Sequence, residues 1–303
     1  MNQQHPLYVP LVINGKDCQP EMVERGFNAD GYGKASVYGY DVRVQAADGN
    51  LCNLAVDSSA QAFESWRDTN PHQRRELLLR LANLLREREI RIESIIVEEI
   101  NCSPEWAHIN LEDSIKLIEE AAALVTSSSM NGLIPHTRAT DSLALVLKEP
   151  LGVVLGIAPW NAPLILGFRA VVAPIAAGNT AILKGSELSP RTHYFIARLF
   201  QDAGFPPGVL NFLLHREQDA PEVFQTLIRR REIRKCNFTG STPVGRIVAS
   251  QAAAALKPVL LELGGKNYAV VLEDADLDKA AKEVAEGALL NVSILERYGS
   301  HIY

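Results

Sequence analysis

Four short segments combine polar or charged side chains with glycine or proline, a composition typical of sites that do chemistry. They read Pro-Trp-Asn at 159–161, Lys-Gly-Ser-Glu at 184–187, Thr-Gly-Ser-Thr at 239–242 and Glu-Leu-Gly-Gly at 262–265. Their side chains include an amide that can donate to an oxyanion and carboxylates that can act as general bases. Each segment also fits a plainer role as a helix cap or a solvated turn, so no single one settles a function.

The segment 238–245 predicts a strand, a glycine turn and the start of a helix. Backbone N–H groups at a helix start, together with the helix dipole, form an anion site suited to a pyrophosphate. Gly240 permits close approach of such a group, and Ser241 and Thr242 offer hydroxyl donors. The pattern differs from the usual Gly-x-Gly-x-x-Gly dinucleotide motif, and a capped helix after a strand is an equal alternative.

The other three segments each carry a candidate role beside a structural alternative. Lys184 and Glu187 are placed to reach ribose hydroxyls, or else belong to a solvated turn. Asn161 can donate to an oxyanion or cap the helix that follows it. Glu262 lies between an apolar run and two glycines, which predicts partial burial and a pKa raised toward that of a general base. Its alternative is a structural acceptor for the glycine loop.

The overall composition is that of a globular protein, with 303 residues, 47% apolar residues, 22% charged residues and a net charge of −6. The acidic balance argues against a nucleic-acid partner. Four separated cysteines predict free thiols, with neither a metal site nor disulfides. The apolar stretch 152–178 is interrupted by three prolines, so we expect no membrane partner. No signal peptide is recognisable, which favours a cytoplasmic protein.

Hydrophobic spacing predicts helices in the first half of the chain, at 55–69, 71–99 and 103–127, and a strand-like alternation at 142–148. From residue 152 onward strands alternate with helices, which is typical of an α/β fold with a doubly wound, mainly parallel sheet. The predicted strands are 153–157, 180–183, 209–213, 233–238, 259–261 and 269–272, and the predicted helices are 164–177, 191–203, 219–230, 244–254 and 277–290.

The four chemical segments lie directly after four of these predicted strands. In open α/β sheets, ligands bind in the crevice at the carboxyl ends of the strands. We therefore expect all four segments to converge on one edge of the sheet.

Taken together and in this order, the segments resemble the aldehyde dehydrogenase family. The stretches that carry the resemblance are GIAPWNAP, GNTAILKGSE, AGFPPGVLN, FTGSTPVGRIV and LELGGKNYAVVLEDADLD, which begin at residues 156, 178, 203, 238 and 261. The likeness runs from about residue 11 to residue 291. It is strongest to members that act on aromatic aldehydes, such as salicylaldehyde and benzaldehyde.

The resemblance implies NAD(P)-dependent oxidation of an aldehyde, with an aromatic substrate, to a carboxylic acid. Asn161 would be the amide donor of the oxyanion hole and Glu262 the general base for thioester hydrolysis. Lys184 and Glu187 would hold the adenosine ribose, with the charge of Glu187 favouring NAD over NADP. The other residues that the resemblance assigns to the cofactor are Ile157, Trp160, Gly240, Ser241, Gly245 and Leu263.

The sequence departs from the family pattern at two places. Gly185 stands where members usually have proline, in the loop that would hold the ribose. The nucleophilic cysteine, expected in a Gly-Gln-x-Cys-like loop after residue 291, has no counterpart in 292–303. We therefore expect a truncated member with impaired or absent turnover. The alternative is a catalytically inactive dinucleotide-binding fragment or pseudoenzyme.

The resemblance also implies a domain organisation. Residues 1–130 would form an N-terminal segment with helices on the cofactor domain, 131–151 an oligomerisation hairpin and 152–291 the dinucleotide-binding sheet. Residues 292–303 would be an aberrant tail in place of the catalytic domain. Intact members are homo-oligomers, but without the second half of the protein we expect exposed apolar surface, an open strand edge and poor solubility.

Overall fold

The strand–helix alternation of the sequence forms one mixed sheet with helices on both faces. In this computed structural model, the structure describes residues 7–18, 26–28, 42–138 and 141–289. The tail expected at 292–303 lies outside these residues. The strands are β1 (Leu7–Val9), β2 (Val12–Ile13), β3 (Lys16–Asp17), β4 (Gly26–Asn28), β5 (Val42–Gln45), β6 (Val153–Ile157), β7 (Thr180–Lys184), β8 (Leu210–Leu213), β9 (Ile233–Thr239) and β10 (Val259–Glu262).

The helices of the described chain fall into an N-terminal group and a group interleaved with the strands. They are α1 (Gly49–Trp66), α2 (Pro71–Glu87), α3 (Glu89–Ile100), α4 (Pro104–Val125), α5 (Pro163–Ala176), α6 (Pro190–Asp202), α7 (Ala220–Arg229), α8 (Thr242–Ala254) and α9 (Leu277–Leu289). Short 3-10 helices lie at Ser128–Met130 and Glu217–Asp219.

The main sheet has seven strands in the order β10-β9-β6-β7-β8-β2-β3. The five strands from β10 to β8 are all parallel, whereas β2 pairs antiparallel with both β8 and β3. The chain moves from β6 to β7 and β8 in one direction, then returns to β9 and β10 on the other side of β6. Because parallel crossovers are right-handed, α5 and α6 cover one face while α7 and α8 cover the other.

Prolines and polar caps mark where the helices begin. Proline occupies the first position of α2, α4, α5 and α6, where its missing N–H leaves no hydrogen bond unmade. Asp48 accepts the backbone N–H of Leu51 at the start of α1, and Ser103 accepts that of Trp106 at the start of α4. These local signals explain why most helix positions follow from the sequence.

The single helix predicted over 71–99 is wrong, because the chain breaks at Arg88. That residue has φ −108° and ψ 16°, outside helical geometry, and separates α2 from α3. Its guanidinium donates to Asp202 on α6 at 2.6 Å. No proline or glycine occurs at the break, so we attribute it to the packing of α3 on α4 and α6.

Two predicted strands are also corrected. In 142–148 only one antiparallel bridge forms, between Leu133 and Val146, and the neighbouring leucines are exposed. Residues 269–272 make no strand pairing within the described chain and are exposed. The reason is topological, since β10 is the outermost strand and only β9 borders it.

The apolar stretch near residue 170 forms α5, which has 14 residues and contains Pro174 near its end. Within the described part of the chain, no helix has both the length and the apolar character needed to cross a membrane.

Candidate functional site

The strand register brings the predicted site segments to one level of the sheet. Ile157, the last residue of β6, pairs with Lys184 on one side and with Phe238 on the other. Thr239, which follows Phe238, pairs with Glu262 on β10. The four loops that leave these strands therefore start side by side at the carboxyl edge, as the sequence predicted.

The strand order reverses at β6, so the crevice between β6 and β9 is the topological switch point of the sheet. Ile157 is buried at the end of β6, and Trp160 is half-buried against the core. The loop after β6 is tied to α4, because the indole Nε1 of Trp106 donates to the carbonyl of Asn161 at 3.0 Å. The loop after β6 is thus positioned by residues from two distant segments.

Asn161 does not cap the helix that follows it. The N-cap of α5 is Ala162, which has no capping side chain. The side-chain oxygen of Asn161 is buried and has no hydrogen-bond partner within the described chain. A buried acceptor without a partner is expensive to maintain. The amide is therefore an open position for a ligand at the switch point, where its oxygen can accept a hydrogen bond and its nitrogen can donate one.

The start of α8 lies in the loop after β9, next to Asn161 in the strand order. Ser241 is the N-cap of α8, and its hydroxyl makes no capping hydrogen bond. The capped-helix alternative therefore fails, and the N–H groups of the first turn have no partner within the helix. With its dipole, this 13-residue helix presents a positive end to the carboxyl edge.

Gly240 in this loop and Gly245 in the first turn of α8 leave space that neighbouring side chains fill. A Cβ on Gly240 would lie 2.6 Å from the ring of Phe238. A Cβ on Gly245 would lie 2.4 Å from Cδ2 of Leu263. The glycine at 245 thus lets Leu263 pack on the first turn of α8, which joins the loops after β9 and β10.

The Lys184 loop lies on the other side of Asn161 and is more enclosed. Burial lowers the pKa of Lys184, while the nearby Glu187 carboxylate acts in the opposite direction. Both side chains are half-buried. The solvated-turn alternative for these residues is therefore wrong, because much of the loop is removed from water.

Two histidines that sequence reasoning did not single out lie close to Lys184. His193 on α6 is fully buried, and His215 in the loop after β8 is 5% exposed. Burial, followed by repulsion from Lys184, lowers the pKa of each imidazole to about 3. Both rings are consequently neutral near pH 7, so they do not repel the ammonium group beside them.

Glu262 differs from its prediction. It ends β10 and is exposed, whereas its sequence setting suggested partial burial. Side chains of a strand alternate between the two faces of the sheet, and on the edge strand β10 the face that carries Leu260 and Glu262 is exposed. Its backbone carbonyl, and not its carboxylate, serves the glycine turn by accepting the N–H of Gly240 at 3.0 Å.

All four cysteines are free and buried. Burial raises the pKa of the Cys52 and Cys236 thiols to about 12 and that of Cys102 to about 11, and it also raises the pKa of Cys18. Since the thiolate is the nucleophile in cysteine chemistry, none of these four side chains is suited to attack a substrate.

One group of metal-type ligands is found in the described chain, at Glu89, Glu93 and His108, with ligand atoms within 4.8 Å of one another. It lies on the surface of α3 and α4. His108 is already bonded to Glu93 through Nδ1 at 2.8 Å, and this contact, above all, raises the imidazole pKa. An exposed ion pair accounts for the arrangement.

Comparison with known proteins agrees with this geometry. Residues 40–292 match the aldehyde dehydrogenase family. The chain is 43% identical over 285 residues to a vanillin dehydrogenase from a Pseudomonas species, covering 94% of this chain and 58% of that protein. The chain belongs to the aldehyde dehydrogenase family.

Solved structures share the fold. The crystal structure of a salicylaldehyde dehydrogenase from Pseudomonas putida, complexed with salicylaldehyde, superposes with a TM-score of 0.87 at 36% identity, covering 93% of this chain and 57% of that one. The NAD⁺ complex of an aldehyde dehydrogenase from Bacillus cereus superposes with a TM-score of 0.85 at 30% identity, covering 94% of this chain and 56% of that one. The chain thus spans little more than half the length of these relatives.

Proposed function

We propose that this chain is the dinucleotide-binding part of an NAD-dependent dehydrogenase of aromatic aldehydes. The observation that carries the proposal is the register of four parallel strands, which sets Glu262, the start of α8, Asn161 and Lys184 along one edge. Open α/β sheets bind dinucleotides at such an edge, across the point where the strand order reverses.

The residues present fit a nicotinamide dinucleotide. The uncapped start of α8 with Ser241 suits the pyrophosphate, because it offers N–H donors and a positive dipole end. Lys184 and Glu187 would hold the adenosine ribose as donor and acceptor for its hydroxyls. Ile157 and Trp160 would line the cleft between these points.

The nicotinamide end would lie toward β10. Leu263, packed on Gly245, would offer its backbone there. When bound, the cofactor supplies a hydride acceptor. The amide of Asn161 would donate to the oxygen of the aldehyde as negative charge develops on it. In an intact family member, Glu262 would take a proton from the water that hydrolyses the thioester and releases the carboxylic acid and the thiol.

The geometry of the thiols supports a more limited role for the chain by itself. Aldehyde oxidation in this family is covalent and needs a cysteine thiolate, by the resemblance described above. Each of the four thiols here is buried, and each has a raised pKa. We therefore propose that the 303-residue chain binds the dinucleotide without oxidising an aldehyde.

The substrate class rests on the relatives. Vanillin and salicylaldehyde, named for two of them, are both benzaldehydes that carry a hydroxyl on the ring. We propose the same class for the protein to which this site belongs.

Calorimetry with NAD and NADP tests the binding proposal. We expect NAD to bind more tightly than NADP, since Glu187 would repel the 2′-phosphate of NADP. Glu187→Gln should reduce the ratio of the two affinities about tenfold. Glu76→Gln, an exposed substitution on α2, is the matched control and should leave the preference unchanged. Failure of the wild-type chain to bind either dinucleotide would refute the proposal.

A turnover assay tests the more limited role. With NAD and vanillin or salicylaldehyde, the chain should form no NADH, whereas NAD binding remains measurable. Aldehyde-dependent NADH formation would show that the chain has a nucleophile other than the four buried thiols in their described state, and would overturn this part of the proposal.

A further inference from the structure

His193 is a buried histidine whose ring faces the loop between β7 and α6. Its Nδ1 lies 3.2 Å from the backbone nitrogen of Ser186 and 3.2 Å from the hydroxyl of Ser189. A backbone N–H can only donate, so Nδ1 must accept and the ring must carry its hydrogen on Nε2. The histidine therefore acts on this loop as a hydrogen-bond acceptor.

The same ring fills the space beside Gly185. A Cβ at that position would lie 2.9 Å from Cβ and from Cγ of His193 and 3.0 Å from Nδ1. These are contacts that real side chains do not make, and two of the three atoms belong to a rigid ring. Gly185 and His193 thus interlock, with the glycine leaving room for the imidazole.

The loop is fixed elsewhere by backbone bonds and by a local side-chain bond, in which the Ser186 hydroxyl accepts the N–H of Leu188 at 3.2 Å. Gly185 donates to the carbonyl of Leu213 at 3.0 Å, and the carbonyl of Lys184 accepts from Ala158 at 3.2 Å. These bonds hold the start of the loop to the two neighbouring strands. Beyond Gly185, the ring of His193 is the side chain from α6 that holds the Ser186 backbone.

A hydrophobic residue of similar size would fill the position without difficulty. His193 instead leaves Nε2 buried with no hydrogen-bond partner within the described chain, near the backbone of Gly167. An unpaired buried donor is unfavourable. The property that distinguishes histidine from leucine here is therefore the acceptor at Nδ1.

We propose that His193 is a positioning residue for dinucleotide binding, which fixes Gly185 and Ser186 and thereby directs Lys184 and Glu187 toward the adenosine ribose. This inference rests on the proposed function of that loop. The neutral state of the ring supports it, since burial and the neighbouring Lys184 hold the imidazole pKa at about 3. The acceptor is then present over the whole range in which enzymes of this kind operate.

Hydrogen exchange on the ligand-free chain is the first test. His193→Leu removes the acceptor at similar size, whereas His193→Asn keeps an acceptor at nearly the same place. In the Leu variant we expect amide exchange in the peptide that covers 184–189 to rise at least about fivefold, and in the Asn variant to return toward wild type. Leu199→Ala, also on α6 and fully buried, is the control for general loss of stability.

Calorimetry is the second test. His193→Leu should weaken NAD binding and reduce the NAD-over-NADP preference about fivefold, with rescue by His193→Asn. Leu199→Ala should lower the melting temperature while leaving the preference unchanged. Gly185→Ala, which forces the ring aside, should behave like His193→Leu.

The outcomes separate the two proposals. A wild-type chain that binds no dinucleotide refutes the proposed function, and exchange still decides whether His193 orders the loop. If the wild type binds NAD but His193→Leu keeps both the slow exchange and the preference, the positioning role is refuted. Equal losses in the Leu and Asn variants also refute it, because they would show that an acceptor at this position does not restore the order of the loop.

Discussion

The two ends of the carboxyl edge are built differently. At the Lys184 end, the loop is half-buried and its backbone is held by β6, β8 and α6. At the Glu262 end, β10 is an edge strand with alternate residues exposed, and residues 264–273 beyond it are all exposed. The adenosine half of the proposed site is thus complete within the chain, whereas the nicotinamide half is open on one side.

The difference follows from neighbours in the sheet. A central parallel strand has a strand on each side and helices on both faces, so the loop at its end is also shielded from solvent. An edge strand has one neighbour, and its outer side must be covered by something else or face water. Sequence motifs of equal clarity, such as those at 184–187 and 262–265, therefore need not give equally formed sites.

The largest effect is expected from substitutions that remove packing in the two regions. Phe200 on α6 is almost fully buried and packs against two tilted rings, with centroid distances of 4.8 Å to Phe205 and 6.2 Å to Phe168. Phe200→Ala should lower the free energy of unfolding by about 3–5 kcal/mol in urea titrations. Leu260→Ala on the half-exposed β10 should lower it by less than about 1 kcal/mol. Similar losses at both sites would remove the contrast.

Ligand binding gives the next largest effect. Lys184→Met should weaken NAD binding roughly 10- to 100-fold by calorimetry, because a charged hydrogen bond to the ribose is lost. The folded state should not become less stable, since a partly desolvated ammonium is replaced by an apolar chain. Glu262→Gln should change NAD binding by no more than about twofold. A strong effect of Glu262→Gln on binding would show that the open end already contacts the dinucleotide.

The buried carboxylate of Glu99, which binds the start of α6, should make the stability of the chain depend on pH. The carboxylate of Glu99 accepts the N–H groups of Arg191 and Thr192 and the Thr192 hydroxyl, yet burial outweighs these bonds and raises its pKa from 4.5 to about 7. The folded state binds the proton more tightly, so this contribution is present below about pH 4.5 and is lost as pH rises through about 7. The stability of wild type relative to Glu99→Gln should fall by on the order of 2 kcal/mol between these limits.

The neighbouring Glu98 gives the control of opposite sign. Burial alone would raise its pKa, but hydrogen bonds from Arg191 and Ser94 lower it below its usual value. Its contribution is therefore present above the ordinary pKa and is lost as pH falls through the lowered one. The stability of wild type relative to Glu98→Gln should increase as pH rises. If the stability differences for Glu98→Gln and Glu99→Gln changed with pH in the same direction, this explanation would be contradicted.

The smallest expected effect is an absence of reaction. With a thiol reagent such as dithionitrobenzoate, the native chain should react slowly at all four cysteines, because each is buried and has a raised pKa. In urea, four equivalents should react at once. A rapidly modified thiol in the native chain would identify a nucleophile and reopen the question of turnover.

The elements that the sequence predicts well are those with local signals. The strand at Val153–Ile157 matches its prediction at both ends, because a β-branched run ends at a proline turn. Helices α5 and α6 begin at prolines within one residue of the prediction. The family resemblance is confirmed, since ordered motifs of this length are specific.

What the sequence did not predict depends on contacts between distant segments. The exposure of Glu262 follows from the strand order, which no local pattern encodes. Glu99 carries no motif, and its partners Arg191 and Thr192 lie more than 90 residues away in sequence. His193 carries no motif either, although its partner Ser186 is only seven residues away. One signal was available for His193: Gly185 departs from the family proline, which indicated a neighbour that needs the space.

The buried cysteines give the molecule a practical property. Since the native thiols are shielded, one cysteine introduced at an exposed position becomes a unique attachment point for a spectroscopic label. Tyr268 is 89% exposed and lies shortly after Glu262. A dye on Tyr268→Cys would report directly when a ligand or another polypeptide covers the open end of the edge.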